Sequence, residues 1–136
     1  MKVHSTNYFD TFIQAASDFQ GDKSRVPKVG KKTTIAQMQY DLLRNNPYRY
    51  TSDELLFKIH RQRKEIPIDQ ADQARKEFFS KGQPCLRTSP LTKLHGFGIH
   101  ANNQGKLALY GIESAEYQNM LGDPAVKQVP AMKSKK

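Results

Sequence analysis

The stretch Phe97–Ile112, FGIHANNQGKLALYGI, leaves the chain least freedom, because two alternating runs flank a polar turn that ends in glycine. Alternation with period two specifies strands whose side chains divide between two faces. If Asn103, Gln104 and Gly105 form the loop, with Gly105 in the left-handed conformation, Asn102 pairs with Lys106. The pairs that follow are Ala101 with Leu107, Ile99 with Leu109 and Phe97 with Gly111, all on one apolar or small face. The other face sets His100 opposite Ala108 and Gly98 opposite Tyr110. A loop of Asn103 and Gln104 alone would place Leu107 opposite His100 and mix the faces, so it is rejected. Gly96, Gly98 and Ala101 also match the G-x-G-x-x-A spacing of a dinucleotide phosphate loop. That loop needs a helix starting within the glycines, whereas here a turn and a second strand follow, which excludes it.

Upstream, NYFDTFIQAASDF mixes helical spacing (Phe9, Phe12, Ile13, Ala16) with the strand-favouring start YFDTFI, and a strand is expected. Gln20–Lys32 carries Gly, Pro, Ser and five basic residues and is expected to be a mobile loop. Thr34 with Gln37 forms a capping box, Ile35, Met38 and Leu42 line one face, and Pro47 ends this first helix. TSDE opens the second: Thr51 caps, Glu54 reaches back, and Leu55, Leu56 and Ile59 supply the buried stripe. Its basic distal half sets Lys58, Arg61 and Lys64 on one side, where they complement the negative helix end. After IPID, Asp69 is expected to cap a third helix with Ala71, Ala74 and Phe78 on its face and Gly82 as left-handed terminator. PCLRTSPL, bounded by Pro84 and Pro90, is expected to be a short edge strand. A last short helix is capped by Ser114, carries Tyr117, Met120 and Leu121, and closes at Gly122. The expected fold is therefore α+β: three consecutive helices packed on a small antiparallel sheet centred on the hairpin, plus the short C-terminal helix. A single domain spans 1–136, with a frayed basic tail near 132–136.

A chain of 136 residues can bury a core without disulfides or a structural metal. Its single cysteine, Cys85, forms no internal bridge, MKVHSTNYFD lacks a signal peptide's apolar run, and no stretch approaches the roughly 18 apolar residues of a membrane span. A soluble cytoplasmic protein with no membrane partner is expected. The net charge is +9 and is unevenly spread. Between Glu77 and Glu113 there is no acid, while Lys81, Arg87, Lys93, Lys106, His95 and His100 fall in that span. Such a segment attracts phosphates and nucleic acids, and equally it is how many basic proteins solvate a surface.

Catalytic signals are sparse. His95 and His100 fall on opposite sides of a continuous strand and no Cys-x-x-Cys or His-x-x-x-His occurs, so neither metal nor cofactor is expected. Cys85 would serve as a nucleophile only with His95 or His100 as base and with Arg87 near enough to lower the thiol pKa; a buried strand cysteine is the plainer alternative. Thr88-Ser89-Pro90 with Thr92 and Lys93 offers hydroxyls and amides to an anion and also makes an ordinary turn. The small second face of the hairpin either lets a helix lie close, with His100 and Tyr110 hydrogen-bonded at its margin, or leaves a shallow basin for a ligand.

The segments HSTNYFDTFI, KKTTIAQMQYDLL, NPYRYTSDELLF, FFSKGQPCLRTSPLTK, GFGIH, GKLALYGIES with Tyr117 following, and VKQVPAMKSKK together resemble the mainly bacterial family catalogued as domain of unknown function 6157. The resemblance covers nearly the whole chain and implies no activity, ligand or cofactor. In the family pattern an aromatic residue usually stands where this chain has His95, and tryptophan is common at Phe97, which argues against His95 as an essential group. His100, Lys106 and Tyr110 match the pattern. With Lys81, Arg87, Ser89 and Lys93 they make up the candidate binding set.

Two functions compete. The first is non-enzymatic binding of an anionic partner, foremost nucleic acid, on the acid-free sheet face around Arg87, Lys93, His100 and Lys106, with Tyr110 or Phe97 stacking on bases. The second is a small enzyme or small-molecule binder using a pocket near Cys85, His100 and Tyr110.

Overall fold

A computed structural model describes residues 4–133. Four strands, β1 (Thr11–Gln14), β2 (Phe97–Ala101), β3 (Leu107–Gly111) and β4 (Lys127–Pro130), form one sheet in the order β3-β2-β1-β4. Five helices accompany them: α1 (Ile35–Asn45), α2 (Ser52–Arg63), α3 (Ala71–Phe79), α4 (Pro90–Lys93) and α5 (Ala115–Leu121). The hairpin pairs as expected, from Ala101 opposite Leu107 to Phe97 opposite Gly111. Gly105 adopts φ 78°, and the Asn102 and Lys106 amides share the turn-end bonds, Asn102 N–H donating to the Lys106 carbonyl at 3.0 Å.

The sheet departs from expectation in two ways. It is mixed, because β4 runs parallel to β1 while β1 is antiparallel to β2. It is also centred on β1 and β2, with the hairpin's second strand at an edge. VKQVP carries a lysine and a proline, which suit an edge and hide a strand from period-two counting. The far edge is shielded: the Leu107 amide donates to the Tyr50 carbonyl at 2.9 Å, and the Tyr48 amide donates to the Leu107 carbonyl at 2.7 Å.

On the core face, Ile13, Ile99, Ala101 and Leu107 meet Leu43 of α1, Leu55 and Ile59 of α2, and Leu86 and Leu91. The helices are layered: α1 and α4 touch the sheet, α2 packs on α1, and α3 packs on α2. Thr34 caps α1 by accepting from the Gln37 amide at 3.2 Å, but Gln37 does not reciprocate, and its Oε1 is buried without a partner. The box at Thr51 and Glu54 is complete. No side chain caps α3, so Asp69 does not fill that role, and α3 ends at Ser80, whose hydroxyl donates to the Glu77 carbonyl at 2.6 Å. Gly82 is not left-handed.

PCLRTSPL is not a strand. Leu86–Thr88 makes a tight 3-10 turn and Pro90–Lys93 forms α4, with Ser89 Oγ accepting from the Leu91 amide at 3.2 Å and Pro90 at the first helical position. Ser-Pro is a helix-start signal, because proline's missing N–H would be unsatisfied there in any case. Thr92 Oγ1, buried, donates back to the Leu86 carbonyl at 2.9 Å and closes the segment on itself.

The N-terminal segment is tied to the start of α2. Asp53, 9% exposed, accepts from the Thr6 amide and hydroxyl, both at 2.7 Å, and from the Ser5 hydroxyl at 2.8 Å. The loop 20–32 is anchored at Ser24, which donates to Glu113 Oε1 at 2.5 Å, and at Arg25, whose amide donates to the His95 carbonyl at 2.8 Å. At the chain's end, Ala131 is buried and the Met132 amide donates to the Arg87 carbonyl at 2.8 Å. Residues 134–136 of the expected frayed tail lie outside the described residues.

Candidate functional site

The second sheet face is closed by aromatics. A Cβ at Gly98 would come within 3.0 Å of the rings of Phe12 and Tyr117. Those rings meet edge to face with centroids 4.9 Å apart, and Tyr117 Oη accepts from the Ala15 amide at 2.9 Å, which fixes α5 on this face. Farther along, Tyr48 reaches around the β3 edge. Its hydroxyl lies 2.8 Å from His100 Nδ1 and 2.8 Å from Tyr110 Oη, and Ala108, paired with His100 and two residues before Tyr110, is 1% exposed. Tyr48 holds φ 59°, a left-handed conformation that an aromatic residue adopts only when its surroundings impose it.

The surroundings of Tyr48 and His100 favour their neutral forms. Burial pushes the Tyr48 hydroxyl well above the ordinary phenol range, reinforced by its bond to Tyr110. Burial likewise holds His100 below the usual imidazole range, while Asp10 and Asp123 pull it the other way. With Nδ1 unprotonated, Tyr48 donates to His100 and accepts from Tyr110, which joins the three side chains in one line of hydrogen bonds.

A concavity lies elsewhere, among α1, α2, α3 and the 83–90 segment. It has a volume of about 440 Å³, within the ~300–1,000 Å³ span of small-molecule sites. Ile59 and Leu86 belong both to the core and to this lining. His60 and Phe78 form a wall, their rings 4.4 Å apart and tilted by 35°. Buried Ser89 also lines it and donates to Gln39 Oε1 at 2.5 Å, a polar pair set among apolar groups. Cys85 lines it as well. Burial, reinforced by the neighbouring Cys85, raises the Tyr8 pKa to about 12.

The model of a family of unknown function, DUF6157, matches residues 3–136, essentially the whole chain. The chain belongs to this family. No curated protein and no solved structure matches it. What a DUF6157 domain can do must therefore be argued from its own geometry.

In this DUF6157 chain the candidate residues fall into two clusters and a dispersed set of cations. His100 and Tyr110 come together through Tyr48. Ser89 and Cys85 share the cavity. The cations scatter: Arg87 Nε donates to the Pro130 carbonyl at 2.7 Å beside the β4 edge, whereas Lys106 sits at the hairpin turn, bridged to Thr51 at the opposite edge. Lys81 is exposed after α3, and Lys93 is the last residue of α4. Cys85 and His100 do not meet, because Leu86 clusters with Ile99 and Ala101 on the core face while His100 alternates to the other. His95 Nδ1 is engaged by the Arg25 carbonyl at 3.0 Å. Among the described residues no group of three or more His, Cys, Asp or Glu could hold a metal ion, and no helix is long and apolar enough to cross a membrane.

Three contributors were not legible. Tyr48 sits in a Pro-containing turn that signals only a helix stop, and Gln39 reads as an exposed position of α1. Tyr8 and Cys85 lie far apart in sequence. Spatial convergence of this kind leaves no local pattern.

Proposed function

We propose that this DUF6157 protein binds a small, largely apolar molecule in the cavity between its helices and the 83–90 segment. One observation carries the reading: the cavity of about 440 Å³ is walled by Leu56, Ile59, Phe78, Pro84 and Leu86 and holds the buried Gln39–Ser89 pair as an orienting polar contact. Sites of this kind gain affinity from apolar area and selectivity from a few placed polar groups. Binding is favoured over catalysis because the cavity lining offers no carboxylate to pair with its thiol or imidazole. A nucleic-acid surface draws less support, because Arg87 and Lys106 flank opposite edges of the sheet and give a phosphate backbone no continuous track.

The test uses N-phenyl-1-naphthylamine, an uncharged apolar dye whose emission rises in apolar surroundings. Saturable one-to-one enhancement is expected with the full chain. Leu56→Trp, which fills the cavity from a half-buried wall position, is expected to abolish it without unfolding the protein. Equal dye binding by the wild type and a folded Leu56→Trp variant sinks the proposal.

A further inference from the structure

The cavity's charge is as one-sided as its walls are apolar, and we infer that its ligand is an amphipathic anion, with an apolar body on the His60–Phe78 wall and a carboxylate at a rim formed by Arg63 and Lys64. The inference rests on the cavity being a binding site. Its lining contains no Asp or Glu, yet it includes both of these cations. Among the described residues neither side chain is hydrogen-bonded to the carbonyls that close α2. The carbonyls of His60 and Gln62 at the close of α2 are met by the backbone amide of Lys64, and Arg61 is the side chain that reaches forward, its Nε donating to the Ile66 carbonyl at 3.2 Å. Arg63 and Lys64 are both exposed and stand at the cavity mouth. The field of Lys64 is felt inside: after burial, it is the second cause that keeps His60 below the usual imidazole range. A carboxylate at the rim would be attracted by that field, while a cationic head would be repelled by it.

Decanoate, decanol and decyltrimethylammonium share a tail and differ in head charge, so their displacement of N-phenyl-1-naphthylamine from the full chain isolates the rim. Decanoate is expected to displace the dye at about tenfold lower concentration than decanol, the factor that two partly screened ion pairs supply together, and decyltrimethylammonium is expected to be the weakest. In the double variant Arg63→Gln/Lys64→Gln, decanoate should fall to the level of decanol while decanol is unchanged. Equal displacement by decanoate and decanol in the wild type, or a decanoate preference that survives the double variant, overturns the anion inference and leaves the cavity reading standing. If neither the dye nor any of the three amphiphiles binds, both fall.

Discussion

Replacing Gly98 with alanine asks directly why one sheet face is built from small residues. A glycine in a strand interior ordinarily costs stability, so Gly→Ala at a compatible position gains roughly 0.5–1 kcal/mol. Here the added carbon would meet three ring atoms of Phe12 and Tyr117 at less than 3.0 Å. Neither ring can withdraw freely: Phe12 is 0% exposed, and Tyr117 is held by its 2.9 Å bond from the Ala15 amide. Overpacking of this kind costs about 1–3 kcal/mol. With two rigid rings involved, the upper half of that range wins over the gain in chain entropy and leaves a net loss of about 2 kcal/mol. For 136 residues the unfolding entropy is about 0.3 kcal/mol per degree, so the melting temperature should fall by about 7 °C. Urea and thermal unfolding followed by circular dichroism would measure this, with an unchanged urea slope showing that the unfolded reference is the same. Phe12→Leu makes room, so the double variant should be more stable than the sum of the single effects predicts. A Gly98→Ala protein as stable as the wild type, with additive double-variant energies, would refute closure of this face by α5 and restore the open basin.

Asp53→Ala removes the acceptor of three bonds from Ser5 and Thr6 and strands the buried Thr6 amide; a loss of about 3 kcal/mol is expected by urea unfolding, with the Thr6 amide losing its hydrogen-exchange protection. His100 is held below its unfolded pKa by burial, so the unfolded chain takes up a proton that the folded chain refuses as pH falls below about 6.5. Its contribution to stability is therefore complete above that pH and is lost as the pH falls below it. His100→Asn, which keeps an acceptor for Tyr48, should flatten this slope by at most one proton's worth, about 1.4 kcal/mol per pH unit; a steeper slope in the variant would contradict the assignment.

The hairpin was legible because its information is local: parity and one left-handed glycine leave a single register that buries Leu107, Ile99 and Phe97 together. The starts of α1, α2 and α5 were legible for the same reason, each being written as a hydroxyl three residues before the amide it receives. Ser89-Pro90 carries an equally local signal, but a proline beside alternating residues also reads as a strand limit, and only the packing of Leu86 and Leu91 into the core decides between them. β4 was missed because its partner lies near the other end of the chain. The cavity was invisible for a related reason, since its walls come from four separate segments whose apolar residues each read as ordinary core stripe.

The placement of β1 between β2 and β4 sets the order in which the molecule can be completed. The strand made first is an interior strand, and the Gln14–Gln128 side-chain bond that accompanies its outer pairing closes a separation of 114 residues. During synthesis β1 emerges with neither neighbour available, and its last hydrogen-bonding edge stays open until Lys127–Pro130 has been made. Closing so long a loop comes late and slowly. The growing chain thus carries a strand, TFIQ, whose outer edge stays open after β2 has covered the inner one, and Lys127–Pro130 is the latch that retires it.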